Sequence, residues 1–116
     1  MALKIAGHLF TGPYEVEKAV VRKNHQPVVF AVLSKEGPPW DPAFRVIEVG
    51  ATGEGGAVFA DDPRCPEWRT KAEGQLCIYM LPLEGAEFRS VDAREKLADE
   101  IRTRHAPPNE FVRVTG

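Results

Sequence analysis

Phe44-Arg45-Val46-Ile47-Glu48-Val49-Gly50 is the stretch that predicts the fold, together with a second apolar run from Val28 to Leu33. Both runs are rich in β-branched and aromatic residues, and the segment between them contains glycine and several prolines. This pattern predicts the two paired strands of one hairpin. The run from Val28 to Leu33 is apolar at every position, so we expect a central strand that is covered on both faces of its sheet.

The side-chain alternation of the second strand places Glu48 on the same face as Phe44 and Val46. A carboxylate is unexpected on a face that is otherwise apolar. Two interpretations are open. Glu48 either reaches solvent or an arginine near the end of the strand, or it is a residue of a functional site.

The rest of the chain predicts one more strand and one clear helix. Residues 75–81 form an apolar run that we expect to be the third strand, and residues 90–105 carry the helical pattern. Ser90 suits the N-cap, and an apolar stripe should face the sheet. That stripe consists of Ala93, Leu97 and Ile101. The predicted fold class is therefore α+β, a small, mainly antiparallel three-stranded sheet flanked by helices, in a single domain spanning residues 1–116.

Composition narrows the functional classes. The formal net charge of -2 argues against a protein that coats nucleic acid non-specifically, because such binding draws on many Lys and Arg side chains. No run is long enough for a membrane span, which leads us to expect a cytoplasmic protein without a membrane partner. Of the two cysteines, we expect Cys77 to be buried in the third strand and Cys65 to be a free, more accessible thiol; a disulfide between them is the alternative.

Trp40 lies in the proline-rich connection between the two hairpin strands. Large aromatic side chains normally bury most of their area, so we expect Trp40 to form a lid over the edge of the core. The alternative is an exposed contact residue.

Five short motifs follow one another in a consistent order along nearly the whole chain. They are Gly12-Pro13-Tyr14, Val29-Phe30, Val46-Ile47-Glu48-Val49-Gly50, the span from Arg64 to Trp68, and His105-Ala106-Pro107-Pro108 after an acidic helix. Their order resembles the GIY-YIG nuclease domain, and in particular the small stand-alone members of that superfamily. The resemblance implies a compact sheet with a groove beside the hairpin.

The resemblance also implies a set of site residues, most of which this chain has replaced. The family uses a tyrosine pair, an arginine for the phosphate and a helix glutamate that holds one divalent metal. The tyrosines fall on Phe30 and Glu48, the arginine on Val58 and the glutamate on Ala98, whose methyl group cannot bind a cation. The expected function is a non-catalytic binding or interaction module, without a cofactor and with an unknown protein or nucleic-acid partner. The groove that the resemblance implies is lined by Phe30, Glu48, Thr52, Arg64, Trp68 and Ala98.

Three other interpretations remain open from the sequence. A divergent metal-dependent phosphodiesterase or nuclease would use Mg²⁺ or Mn²⁺ bound by carboxylates, and a nucleic-acid-binding module would combine basic side chains with a stacking aromatic ring. The carboxylates would be Glu48, Asp61 or Asp62, and the second group would be Arg64, Arg69 and Lys71 with Trp68. The third interpretation is that the groove face is merely repacked with apolar side chains and that the working surface lies elsewhere.

Overall fold

A computed structural model describes residues 2–22, 26–105 and 111–112 of the chain. The strands are β1 (Ala2–Ile5), β2 (His8–Glu15), β3 (Val20–Arg22), β4 (Val28–Glu36), β5 (Ala43–Ala51), β6 (Gly56–Val58), β7 (Gln75–Pro82) and β8 (Phe111–Val112). The helices are α1 (Cys65–Lys71) and α2 (Val91–His105), with short 3-10 turns at Phe59–Asp61 and Ala86–Arg89. Residues 106–108 of the last motif lie outside the described residues.

The predicted hairpin is confirmed. Strands β4 and β5 pair antiparallel, with Phe30 opposite Gly50, and β7 pairs antiparallel with the other edge of β4. Strand β4 is therefore central, and its residues Val28 to Ser34 are all buried. The three predicted strands and the long helix are all present.

The prediction of a three-stranded sheet is wrong. The main sheet is curled and antiparallel, in the order β1-β2-β7-β4-β5, with the two-residue β8 beside β5, and β3 and β6 form a second small sheet. Gly12-Pro13, which looks like a turn in the sequence, lies inside β2. The register between β2 and β7 shifts between Thr11 and Tyr14, and such an irregularity accommodates a residue that cannot donate a ladder hydrogen bond.

Strand β4 separates two apolar cores because its side chains alternate between the faces of the sheet. The α2 core lies on the face covered by α2, and it includes Leu3, Phe10, Val29, Ala31, Leu33, Phe44, Val46, Val49, Tyr79, Ala98 and Ile101. The α1 core lies on the other face, under α1 and the small sheet, and it includes Val16, Val21, Val28, Phe30, Val32, Ile47, Phe59, Cys65, Trp68 and Ile78. The sheet stands between the two cores.

Glu48 does not share a face with Phe44 and Val46, contrary to the alternation. Val32 lies opposite Glu48 and Leu33 lies opposite Val46, so β5 has one extra residue at this point. This β-bulge turns Glu48 to the face of its partner Val32, which belongs to the α1 core. The bulge therefore brings a carboxylate to the side of the sheet that α1 covers.

The predicted helix is confirmed, but its buried face is rotated from the predicted stripe. Ala98 and Ile101 are fully buried, whereas Ala93 and Leu97 are only half-buried. Arg94 is also buried, and its guanidinium donates hydrogen bonds to the carbonyl oxygens of Phe88, Arg89, Thr52 and Gly53. A long side chain that satisfies backbone carbonyls thus occupies part of the face that the sequence pattern assigns to apolar residues.

Two predictions about single residues are wrong. Cys65 is as buried as Cys77, because it lies in the first turn of α1 against the α1 core; both thiols are free. Trp40 is 83% exposed and does not cover the core. The turn that carries it closes on itself, with the Asp41 N–H donating to the Pro38 oxygen at 3.0 Å.

Among the described residues, no helix is both long and apolar enough to cross a membrane.

Candidate functional site

Arg64 is the centre of a charged cluster at the start of α1. Its Nε and Nη2 donate to the two carboxylate oxygens of Asp62, each at 3.0 Å, and its Nη1 donates to Glu48. The Arg64 backbone N–H also donates to Asp62 at 2.8 Å. A bidentate pair of this kind is planar and directional, so it fixes the guanidinium in one position. One arginine thereby joins the bulge of β5 to the segment that precedes α1.

The guanidinium of Arg64 lies over two aromatic rings of the α1 core. Its Cζ is 5.8 Å from the ring centroid of Phe30 and 5.2 Å from that of Trp68. Both distances fall within the range of cation–π attraction. Gly50 makes this arrangement possible, because a Cβ at that position would lie 2.7 Å from Cζ of Phe30. The ring fills the space that any larger residue at position 50 would occupy.

The hydrogen bonds from Arg64 lower the pKa of the Asp62 carboxyl, and partial burial opposes this effect without reversing it. The same hydrogen bonds raise the pKa of Arg64 above its ordinary value, with a further contribution from the charge of Glu48. Each charge therefore stabilises the ionised form of the other.

Two open clefts meet at Arg64. The first has a volume of about 320 Å³ and is lined by Ile47, Glu48, Val49, Gly50, Ala51, Arg64, Glu95 and Arg102. The second has a volume of about 460 Å³ and is lined by Phe30, Ala51, Thr52, Gly53, Gly56, Ala57, Val58, Asp61, Asp62 and Arg64. Ala51 and Arg64 belong to both. We call the two together the joined cleft.

The structure brings four of the six predicted site residues together: Phe30, Glu48, Arg64 and Trp68. Thr52 lies in the wall of the second cleft, but it is buried, and its hydroxyl accepts a hydrogen bond from the Val28 N–H at 3.1 Å. Ala98 does not belong to the site. It is fully buried in the α2 core, on the opposite side of the sheet from Phe30.

The role of Asp62 as the partner of Arg64 was missed in the sequence. Asp62-Pro63-Arg64 nevertheless carries a signal for it, because aspartate side chains commonly bond to the backbone N–H two residues later. A proline between the two residues restricts the backbone and favours such a turn. Glu95 and Arg102, which line the first cleft from α2, have no signal that distinguishes them from an exposed helix face.

The residues predicted to bind nucleic acid do not form a stacking surface. Trp68 is only 1% exposed, so its ring cannot stack on a base. Arg69 pairs with Glu17 at 2.7 Å and Lys71 pairs with Glu67 at 3.0 Å. The basic side chains of this region are thus compensated by carboxylates on the surface of the protein.

The residues present do not fit the divalent metal that the nuclease resemblance implies. Ala98 supplies no oxygen ligand, and the carboxylates of Glu48 and Asp62 both bond to the guanidinium that lies between them. In the described part of the chain, no three or more His, Cys, Asp or Glu side chains form a group that could hold a metal ion.

Comparisons with protein-family models, curated proteins and solved structures give no significant match to this chain.

Proposed function

We propose that this chain is a GIY-YIG-like binding module without nuclease activity, and that the joined cleft is its ligand surface. The order of the sequence motifs is the support for the kinship. The observation that carries the functional proposal is the position of Arg64, which is held between Glu48 and Asp62 at the point where both clefts open. The guanidinium of Arg64 thus occupies the space between two of the carboxylates that a divergent hydrolase would need for its metal.

The chemistry of the joined cleft favours a ligand with hydrogen-bond donors or a positive charge beside a small apolar group. Its walls carry the carboxylates of Glu48, Asp61, Asp62 and Glu95, against the guanidinium groups of Arg64 and Arg102. Both arginines already pair with carboxylates of the chain, and their partners include Glu48, Asp62 and Glu95. Asp61 is the wall carboxylate that has no ion pair among the described residues, so it is the one that a positive ligand would meet. Val58, which is 47% exposed, provides an apolar contact at the mouth of the second cleft.

A Lys- or Arg-containing segment of a partner protein has this combination of groups, because the stems of these side chains are apolar and their tips are charged. The proposed compartment is the cytosol, where the two free cysteines of the chain remain reduced.

The binding proposal can be tested with four capped tetrapeptides that differ at one central residue, which is Lys, Arg, Glu or Leu. We expect the Lys and Arg peptides to shift the amide resonances of Gly50 to Gly53 and of Gly56 to Val58 in the native protein, and to do so less at high salt. The Asp61→Asn variant should bind these peptides more weakly. Glu67→Gln is the matched control, because Glu67 is an exposed carboxylate on α1 outside the joined cleft. Equal shifts from all four peptides, or shifts confined to other parts of the protein, would contradict the proposal.

Adding Mg²⁺ or Mn²⁺ to the protein distinguishes the binding module from the divergent nuclease. A metal that binds the native state must raise the melting temperature, by the equivalent of roughly 2.7 kcal/mol at a hundred times its dissociation constant. We expect no such rise and no cleavage of DNA by the unaltered protein. Metal-dependent cleavage of DNA by the unaltered protein that is lost in Glu48→Gln would contradict the binding module and support the divergent hydrolase.

A further inference from the structure

Arg64 occupies a site whose walls suit a guanidinium group. Each nitrogen of its guanidinium has a carboxylate acceptor, because Nε and Nη2 donate to Asp62 and Nη1 donates to Glu48. The group also lies over the rings of Phe30 and Trp68, which are both almost fully buried. Two carboxylates around a planar cation, with aromatic rings against it, form a recognition site for a guanidinium. In the protein alone, that site holds one of the protein's own side chains.

The contact between Arg64 and its partners is open to solvent. The Arg64 side chain is 44% exposed, and the side chains of Glu48 and Asp62 are both partly exposed. Arg64 lines both parts of the joined cleft. A cation that enters either cleft therefore arrives at the same pair of carboxylates that Arg64 now holds.

The charges around Arg64 are not balanced. Asp61 and Asp62 both line the second cleft, and Arg64 is the one basic side chain among the described residues of its wall. Arg64 pairs with Glu48 and Asp62, whereas Asp61 has no ion pair in the described part of the chain. Three carboxylates thus share one guanidinium, and one further cation would place a positive charge near each of them.

We propose that the joined cleft selects arginine over lysine side chains, and that the incoming guanidinium displaces Arg64 from between Glu48 and Asp62. This inference rests on the proposed function and names the side chain that the cleft recognises. The displaced Arg64 takes Asp61 as its new partner, since both residues line the second cleft. An ammonium group lacks the planar fork that bridges two carboxylates, so a lysine side chain pairs with Asp61 and leaves Arg64 in place.

Arg64 is therefore an internal competitor of the ligand. When a ligand binds only the molecules in which Arg64 has left the site, its apparent affinity is reduced by the fraction of molecules in that state. Removal of the competitor should strengthen the binding of arginine more than the binding of lysine.

Nuclear magnetic resonance of the unaltered protein tests the exchange with three probes, the N-acetyl N-methylamides of arginine, lysine and citrulline. Citrulline is the control for charge, because it has nearly the shape of arginine and is neutral. We expect the arginine probe to bind about tenfold more tightly than the lysine probe, since its bonds to the carboxylates are bidentate and charge-assisted. The arginine probe should also shift the Nε–H resonance of Arg64, and the lysine probe should leave that resonance unchanged.

Arg64→Gln removes the competitor and should lower the dissociation constant of the arginine probe about tenfold or more. Arg69→Gln is the matched control, because Arg69 also pairs with a carboxylate, Glu17, but lies outside the joined cleft. If Arg64→Gln does not fold, Arg64→Lys provides the second variant. It keeps the charge but loses the fork, so it should also bind the arginine probe more tightly than the unaltered protein does.

Equal affinity for the arginine and lysine probes, with the Nε–H resonance of Arg64 unchanged, would overturn the exchange and leave the proposed function standing. A folded Arg64→Gln protein that binds the arginine probe no more tightly than the unaltered protein would overturn the exchange as well. If the amide resonances of Gly50 to Gly53 and of Gly56 to Val58 respond to neither charged probe, the result contradicts the proposed function itself.

Discussion

Asp62, Pro63 and Arg64 form a short unit in which one carboxylate holds both the backbone and the side chain of the arginine two residues later. Glu48 reaches the same guanidinium from β5, so two chain segments, β5 and residues 62–64, meet at one group. The interpretation of Glu48 as a residue that reaches an arginine is correct, and the arginine is itself part of the candidate site. The other interpretation, that Glu48 belongs to a functional site, stays a prediction.

The pH dependence of stability tests the Asp62–Arg64 pair. Since Arg64 lowers the pKa of Asp62 below its ordinary value of 3.8, the pair stabilises the fold above that pH and the contribution disappears as pH falls through the folded-state pKa. Asp62→Asn should therefore reduce the free energy of unfolding by about 1–2 kcal/mol at pH 7, as expected for a charged hydrogen bond with 18% of the Asp62 side chain exposed. Urea unfolding of both proteins between pH 2.5 and pH 7 on a roughly half-unit grid would measure the difference.

The control for this experiment is Asp99→Asn. Asp99 also pairs with an arginine, Arg102 at 2.8 Å, but its side chain is 69% exposed, so the loss should be only a few tenths of a kcal/mol. A difference between the unaltered protein and Asp62→Asn that stays constant down to the lowest pH would mean that the pair does not hold the carboxylate in its ionised form.

At the scale of single elements, the sequence predicted what strong local patterns determine. The sequence predicted β4, its hairpin partner β5, strand β7 and helix α2. Each of these elements keeps its apolar pattern over most of its length. The strand β2 was not predictable, because Gly12-Pro13 is typical of turns and only the pairing with β7 overrides that preference. The bulge in β5 was not predictable either. Alternation shows which face a residue favours, but not where an extra residue interrupts it.

The rotated face of α2 gives a prediction about stability. Ile101 is 1% exposed and belongs to the α2 core, so Ile101→Ala should cost about 2–5 kcal/mol of unfolding free energy. Leu97 is only half-buried, so Leu97→Ala should cost less than half as much as Ile101→Ala. Denaturant unfolding of the two variants side by side would measure the ratio. Equal losses, or a larger loss for Leu97→Ala, would mean that the buried face of α2 is the stripe predicted from the sequence.

At the scale of the whole molecule, the curled sheet decides which residues can share a site. The resemblance to the nuclease family matches sequence positions one by one, and this matching predicted that Ala98 and Phe30 line the same groove. The structure places them in different cores, because β4 and β5 turn alternate side chains to opposite faces and α2 covers only one of these faces. Four of the six predicted site residues do meet, since Glu48, Arg64 and Trp68 all reach the face on which Phe30 lies. Thr52 lines the second cleft, but its side chain is buried. Ala98 was misplaced because the face to which a residue belongs depends on the three-dimensional register.

The separation of the two faces makes a decisive prediction for Ala98→Glu. In the nuclease-like groove that the resemblance implies, this substitution would restore a metal ligand. In the α2 core it would instead bury a carboxylate among apolar residues such as Phe44 and Val46. The basic residues one turn away on either side are already engaged: Arg94 donates to four carbonyl oxygens, and Arg102 pairs with Glu95 and Asp99. We therefore expect a loss of about 3 kcal/mol or more of unfolding free energy, as for other uncompensated buried charges. Millimolar Mn²⁺ should not reverse the loss, because Glu48 lies across the sheet. The control is Lys96→Glu, which also introduces a glutamate into α2 but at an exposed position. It should alter the free energy of unfolding by less than about 0.5 kcal/mol. A well-folded Ala98→Glu protein whose melting temperature rises with Mn²⁺ would place residue 98 at the joined cleft, and would show that the catalytic groove has lost its ligand but not its shape.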